Sequence, residues 1–388
     1  MRVGFVTGEY PPMQGGVGAF TSEIARAMTA LGHQVFVFTR HEARPASGSS
    51  PPFVTAAVGQ RWGWRTIPQI RKWAGENRLD IINIQFQTAA YAMHASIHWL
   101  PARITDLPVV VTFHDLRVPY LFPKAGSLRQ WVVKKLARDA EGVIATDRAD
   151  ESTLRDEWHI PCVRWIPIGS NVRAEPPSMH DRTAQRAALN VHPDDLLISY
   201  FGFLNESKGG LVLIEALSHL VEQGIPAHLV MIGGRAGASD PTNLEYGKRV
   251  DTAIEQHQLN DRVHWTGFVD DTQVSAYFYA SDLTALPYLD GVSLRRGTLM
   301  AALAHGRAIV TTYPQTCAPE LDGVVETVTA GDPKALAEAI KQLWYDHDRR
   351  KQLEQAAIQA AQLFSWENIA RQTLDFYYDL LRRGNGLQ

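Results

Sequence analysis

Cysteine is nearly missing from this sequence. Only Cys162 and Cys317 occur among 388 residues, far apart and outside any CxxC or Cys/His spacing. They suggest neither a disulfide framework nor a zinc site, and they suit a reducing compartment. Long apolar runs are missing too, since none approaches the roughly 18 residues that cross a bilayer. The opening MRVGFVTGEYPP runs straight into a strand without the features of a secretory leader, so a cytoplasmic chain is expected. Neither charge sign dominates: 38 Lys and Arg face 41 Asp and Glu, for a formal net charge of -3. That balance gives no global pull toward nucleic acid or an anionic membrane, and any basic surface must be local. Heptad arrays, low-complexity tracts and short tandem repeats are also lacking.

At 388 residues the chain exceeds the usual size of one core, and its 45% apolar content suffices for two. Residues 3–7 read as a strand, followed by the loop Gly8-Glu9-Tyr10-Pro11-Pro12-Met13-Gln14-Gly15-Gly16-Val17-Gly18. Phe20, Ile24, Ala25 and Met28 then line one helix face, Gly32 ends the helix, and residues 35–39 form a second strand, completing a βαβ unit. The glycines and prolines suit a backbone that approaches a ligand closely. Residues 41–60, rich in Pro, Ser, Ala and Gly, read as an irregular loop. The cluster Arg61-Trp62-Gly63-Trp64-Arg65 suits a sugar-stacking surface, a membrane contact or a buried helix start.

Residues 81–84 and 109–113 are further strands, with Gln85, Phe86 and Gln87 at the end of one and Thr112-Phe113-His114-Asp115 closing the other. Ligands of open α/β sheets gather outside the carboxyl ends of strands, which makes His114 a site candidate. A helix over 127–140, a strand over 142–145 and residues 165–171 finish the first series. The polar, Pro-containing stretch 173–195 reads as a linker. A second βα series follows, with strands at 197–201, 227–232, 263–266, 283–286 and 309–311. The first of these strands leads into Gly202-Phe203-Leu204-Asn205-Glu206-Ser207-Lys208-Gly209-Gly210, and the second into Gly233-Gly234-Arg235. Lysine at a glycine-rich strand-to-helix turn suits a phosphate. Ser365 is a good N-cap for a last helix, with Asn368 in the weaker form of a capping box.

Several nucleotide motifs are absent. The first loop is too long for G-x-G-x-x-G, and the strand after it ends in Thr39-Arg40 without a ribose-binding carboxylate. The Lys208 loop lacks the GxxxxGK[ST] of a Walker A loop. No DxD motif ends a strand, Asp270-Asp271 is more simply a helix start, and no metal or cofactor is expected. What stands out is YLDGVSLRRGTLMAALAHG, residues 288–306. Its loop, Asp290-Gly291-Val292-Ser293, offers backbone N–H groups. Arg295 and Arg296 precede a helix rich in Leu, Met and Ala, and Gly306 occupies the place of a left-handed C-cap. A helix N-terminus with adjacent guanidiniums forms an anion site, most simply for a diphosphate, although an Arg pair on a solvated surface has the same composition.

Taken in order, GEYPPMQGGVGAF, TFHD, Ile166-Pro167-Ile168-Gly169-Ser170-Asn171, the Phe-x-x-x-x-Lys-Gly pattern at Phe203–Gly209, VHWTGFVDD, YFYASDLTALPY and FSWENIA resemble the GT-B glycosyltransferases of family 4 over nearly the whole chain. The resemblance implies an α/β fold of two Rossmann-like domains facing a cleft. It gives an acceptor-side domain over residues 1–172, a linker over 173–195, a nucleotide-sugar domain over 196–364, and a helix over 365–388 crossing back onto the first domain. It implies a retaining transfer of a hexose from a nucleoside diphosphate sugar to an acceptor hydroxyl on a lipid, a glycan or a small molecule. No nucleic acid is implied. Arg61–Arg65, with Lys134, Lys135 and Arg138, leaves room for peripheral membrane contact.

Carried over by position, His114, Lys208 and Arg296 are the catalytic candidates. Gly15, Gly16, Lys208, Gly234, Asp290, Ser293, Leu294, Arg295 and Arg296 are the donor-binding ones. Three positions depart from the family pattern. Phe203 stands where an arginine is usual, and the Glu-x7-Glu signature falls on Ser293 and Ala301. The readings left open beside transfer are a nucleotide-sugar-binding or scaffolding relative and a GT-B sugar-nucleotide epimerase.

Overall fold

A computed structural model describes residues 1–13, 15–43, 54–58, 62–116, 126–174, 182–234 and 241–385. Arg61 and Arg235 lie outside the described residues. The chain divides into one compact unit of Met1–Asn171 with Ser365–Gln388 and a second of Val172–Phe364.

Seven parallel strands build the first sheet: β1 (Arg2–Thr7), β2 (Gln34–Arg40), β3 (Val54–Val58), β4 (Ile81–Phe86), β5 (Val109–Phe113), β6 (Gly142–Ala145) and β7 (Val163–Trp165). Their order is β3-β2-β1-β4-β5-β6-β7. Helices α1 (Gly16–Ala30), α2 (Thr66–Glu76), α3 (Leu100–Arg103), α4 (Gly126–Asp139) and α5 (Arg148–Ser152) follow the strands. Parallel strands covered on both faces read as continuous apolar runs, and every residue of β4 and β5 is buried.

Side chains alternate between two cores. Val3, Phe5, Val35, Val37 and Val110 pack with α1 residues Phe20, Ile24 and Met28, whereas Ile82, Ile84, Val109 and Val111 pack with Ile70 and Trp73 of α2 and Leu136 of α4. The last helix of the chain, Trp366–Asn385, packs on α1 and gives Ile369, Leu374, Phe376 and Tyr377 to the first of these cores. Ser365 Oγ accepts a hydrogen bond from the Asn368 N–H at 3.3 Å, so the expected cap forms.

The second unit begins with α6 (Arg182–Ala188) and contains six parallel strands: β8 (Leu196–Phe201), β9 (Ala227–Ile232), β10 (Val263–Trp265), β11 (Leu283–Leu286), β12 (Ile309–Thr312) and β13 (Glu326–Val328). They run in the order β10-β9-β8-β11-β12-β13. Between and after them come α7 (Gly210–Glu222), α8 (Pro241–Gln256), α9 (Asp271–Ala280), α10 (Gly297–Ala304), α11 (Pro333–Tyr345) and α12 (His347–Leu363). Each sheet reverses its winding once, between β1 and β4 in the first and between β8 and β11 in the second. Such switch points are where open α/β sheets hold ligands.

Three expectations need correction. Residues 41–60 are not wholly irregular: His41–Ala43 is a 3-10 turn and β3 adds an edge strand beside β2. The segment 173–195 is not a free linker. Its helix α6 packs on α9, and the buried Arg186 donates to the Ala280 and His192 carbonyls, both at 3.1 Å, and to Asp282 at 3.2 Å. A guanidinium with that many buried acceptors fixes the segment to the second unit. Two further strands, β7 and β13, went unpredicted, each only three residues long and at the far edge of its sheet.

Candidate active site

In the second unit the turn after β8 is built around Lys208. The Asn205 carboxamide oxygen accepts from the Lys208 backbone N–H at 3.1 Å, closing a 3-10 turn, and Gly209 follows at φ 70°. A Cβ at Gly209 would run into the Pro287 carbonyl, and the Leu289 N–H donates to the Ser207 carbonyl at 2.8 Å. The Lys208 turn is thereby fastened to the segment after β11, across the switch point. A Cβ at Gly202 would sit 2.9 Å from Lys208 Nζ and 2.8 Å from Thr298 Cγ2, so the ammonium lies beside the first turn of α10. Burial, with the Arg296 charge as the second cause, lowers the Lys208 pKa to about 8.

Helix α10 starts at Gly297 with Arg296 as its N-cap, and no side chain caps it. Its first N–H groups and its dipole are therefore available to an anion. Arg296 lies over the Tyr288 ring, 4.6 Å from the centroid, and pairs with the Asp290 carboxylate. Tyr288 hydrogen-bonds Thr298 at 2.5 Å, and burial pushes its phenol up to about 12, so it stays neutral and holds the pair from beneath. Gly291 has φ 77°, and Gly306 has φ 59° one residue beyond the end of α10's cap, as a left-handed terminator should.

The structure therefore brings Lys208, Arg296 and Asp290 together. It assigns other residues differently. Leu294 is buried and offers a ligand only its backbone, while the Ser293 carbonyl accepts from the Arg296 N–H at 3.1 Å. Arg295 is half-buried on the same turn. Gly234 lies just beyond β9, next to Gly233, whose N–H donates to Thr266 Oγ1 at 3.1 Å. Ala301 is fully buried in α10, and Phe203 is 46% exposed.

In the first unit Gly15 and Gly16 begin α1 just outside the end of β1. Among the described residues nothing comes within 4 Å of a Cβ placed on Gly16, whereas one on Gly15 would strike the Glu9 carboxylate. That carboxylate has a raised pKa from burial, which the Arg40 charge partly offsets.

His114 follows β5, its ring edge-on to Phe20 with centroids 4.7 Å apart. Its Nε2 lies 2.9 Å from Gln85 Oε1. Gln85 Nε2 donates to Asn83 Oδ1 at 2.9 Å, which also accepts from Thr112 Oγ1 at 3.0 Å, and Asn83 Nδ2 donates to the Tyr377 hydroxyl at 2.6 Å. This one-way chain of donors fixes the tautomer: Nε2 carries the proton and Nδ1 keeps a lone pair. Burial lowers the His114 pKa to about 4, so the ring is a neutral acceptor near neutrality. Gln85 lies at the strand edge its sequence position predicts, whereas Asn83, Tyr377 and Glu9 fall outside the sequence-derived candidates. The signal for Asn83 was polar residues at period two, Asn83 and Gln85, inside an otherwise apolar buried strand.

A switch point in the second unit lined by a lysine and the start of α10 suits chemistry on a diphosphate. The family model for Glycosyltransferase Family 4 matches residues 14–173, and that for Glycosyl transferases group 1 matches residues 195–346. The chain belongs to the family 4 glycosyltransferases. Among curated relatives, a D-inositol 3-phosphate glycosyltransferase of Xylanimonas cellulosilytica is 26% identical, covering 95% of this chain and 93% of the relative. A phosphatidyl-myo-inositol mannosyltransferase of Mycobacterium leprae is 25% identical, covering 100% and 99%. Among solved structures, Anabaena Alr3699/HepE in complex with UDP has a TM-score of 0.76 at 19% identity, covering 98% of this chain and 100% of that one. This glycosyltransferase thus has the GT-B fold of two Rossmann-like units. Among its described residues no three His, Cys, Asp or Glu side chains gather as a metal-binding group, and no helix is long and apolar enough to cross a membrane.

Proposed function

We propose that this glycosyltransferase moves a hexose from a nucleoside diphosphate sugar to an acceptor hydroxyl, with retention at the anomeric carbon and without a metal. One observation carries the reading: Lys208 Nζ lies against the first turn of the uncapped helix α10, with Arg296 at the cap. A leaving diphosphate needs charge stabilisation that is in place before the bond breaks, and an ammonium, a guanidinium and helix N–H groups provide it. In the step proposed, the anomeric carbon–oxygen bond breaks with its electron pair going to the diphosphate. The acceptor oxygen bonds to that carbon, and its proton passes to the departing diphosphate.

Lys208 and Arg296 hold that diphosphate, with Asp290 setting the Arg296 pose and with the backbone at Gly234 and over Ser293, Leu294 and Arg295 completing the donor contacts. His114, through Nδ1, accepts a hydroxyl of the reacting sugar, and Gly15 and Gly16 let the ligand approach the backbone. The solved neighbours in complex with UDP and with UDP-glucose support a nucleotide-sugar donor. Relatives named for inositol phosphate and phosphatidyl-myo-inositol support a polyol hydroxyl as acceptor.

A thermal-shift screen of UDP-, GDP- and ADP-sugars tests the donor, because a ligand that binds only the folded state raises the melting temperature. At least one of them is expected to raise it. No shift with any of them contradicts the reading.

A further inference from the structure

Exposed tryptophan is uncommon, and an aromatic patch on a surface calls for a partner. On the first unit Trp64 and Trp131 are 53% and 52% exposed. Trp99 lies between them, with ring centroids 5.4 Å from Trp64 and 6.4 Å from Trp131, and the exposed Met93 lies beside His94, whose ring is 6.3 Å from Trp64. Three separate elements thus meet in one ridge: the lead into α2, the segment after β4, and α4. Trp64, at the start of α2, lies toward the same carboxyl edge of the sheet as Gly16 and His114, and α4 carries the ridge from there back along the helical face of the unit.

The ridge is also locally basic in a chain whose formal net charge is -3. Residues 62–76, 93–106 and 130–139 carry seven Lys or Arg against three Asp or Glu. All three acids are engaged: Asp106 with Arg71, Glu76 with Lys72, and Asp139 with Lys135. Arg65, Arg103, Lys134 and Arg138 have no carboxylate partner among the described residues. On α4, Trp131, Lys134, Lys135 and Arg138 fall at helical spacing on one stripe, and the Lys135 ammonium lies 5.8 Å from the centre of the Trp99 ring.

We propose that this ridge docks on an anionic lipid bilayer. Tryptophan and methionine enter the headgroup boundary while unpaired cations meet lipid phosphates. The ring geometry favours lipid over glycan, since the tryptophans meet edge to face at 63° and 61° and form no flat platform for a sugar. Docking here brings the Trp64 end of the ridge, at the carboxyl edge of the first sheet, to the headgroup layer, and so adds to the proposed transfer a place where a lipid acceptor is met.

Flotation of the full chain with vesicles of phosphatidylcholine, alone or mixed equally with phosphatidylglycerol, tests this. The wild type is expected to float with the mixed vesicles only, and to be released by salt. Each cation near such a surface raises the partition by about fivefold. Lys134→Glu with Arg138→Glu, and separately Trp64→Ala with Trp131→Ala, should therefore lower the partition at least tenfold without moving the melting temperature. No flotation of the wild type, equal flotation on the neutral vesicles, or unchanged flotation of both variants overturns the proposal, as does binding to a soluble glycan in place of vesicles. Nucleoside diphosphate affinity, measured on the same variants, should be unchanged, so a failure of the docking surface stays distinct from a failure of the donor site.

Discussion

Lys208 has the clearest chemical signature of any single residue in the chain. With its pKa lowered to about 8 by burial, it is charged near neutrality and loses that charge as pH rises. Diphosphate affinity should therefore fall between about pH 7 and about pH 9, and calorimetry on Lys208→Ala should show no such fall over that interval. His114 behaves in the opposite sense. Its pKa of about 4 leaves it neutral above about pH 6, so the transfer rate should show no inflection near the ordinary histidine value of about 6.5. His114→Ala should lower transfer at least tenfold and leave diphosphate affinity within a few-fold. An early-melting variant with unchanged turnover per folded molecule would make the histidine structural. Asp290 was the residue that sequence could least explain. Three residues ahead of the first missing glutamate, it reads as a substitute for it, yet its carboxylate is turned to Arg296. Asp290→Ala should release that guanidinium from its pose and weaken diphosphate binding by about tenfold, the lower end of the scale of one charge-assisted hydrogen bond. The loss should vanish in an Arg296→Ala background, as a double-mutant cycle would show.

Elements were legible wherever period and punctuation agreed. Helix α10 begins after Arg296 and its end is marked by Gly306, as the Arg-Arg, Leu-Met-Ala and Gly pattern predicts, and β4, β5, β8 and β9 read as apolar runs because a parallel sheet buries both faces. Strand β3 was hidden by its setting: Val54-Thr55-Ala56-Ala57-Val58 is short, Ala-rich and flanked by Pro and Gly, so composition outvoted its two valines. Helix α6 was hidden differently, because what holds it is one long-range anchor, Arg186 on Asp282, 96 residues away in the chain. Another element-scale anchor is His305 at the end of α10, where Nδ1 lies 2.7 Å from the Ala301 carbonyl and Nε2 2.8 Å from Ser275 Oγ. Burial lowers its pKa to about 4. A histidine whose folded pKa lies below its unfolded value contributes nothing adverse above about pH 6.5, and stability is lost as pH falls from there toward about 4. The loss from this one group is roughly 3 kcal/mol at the acid end. Denaturant melts of His305→Gln should therefore flatten the decline in stability over that window, and an unchanged pH slope would show that protonation of His305 does not drive it.

For the whole molecule, the alternation of strand and helix, interrupted over residues 173–195, predicts two βα units, and the family resemblance makes both Rossmann-like. What the sequence left unsaid is how residues distant in the chain converge. The polar ladder from Tyr377 through Asn83 and Gln85 to His114 joins the last helix to the end of β5, and no local pattern near Tyr377 announces it. Likewise the Lys208 turn and α10 are some 90 residues apart and meet only because β8 and β11 are neighbours at the switch point. In the function proposed, this meeting place holds the diphosphate of a sugar nucleotide. Calorimetry with UDP and GDP on the wild type, Lys208→Ala, Arg296→Ala and the double variant tests it most directly. Two charge-assisted contacts of roughly 1.5–3 kcal/mol each predict a loss of two or more orders of magnitude in the double variant, with the fold intact. Equal affinity in all four proteins would place the anion site elsewhere and contradict the account.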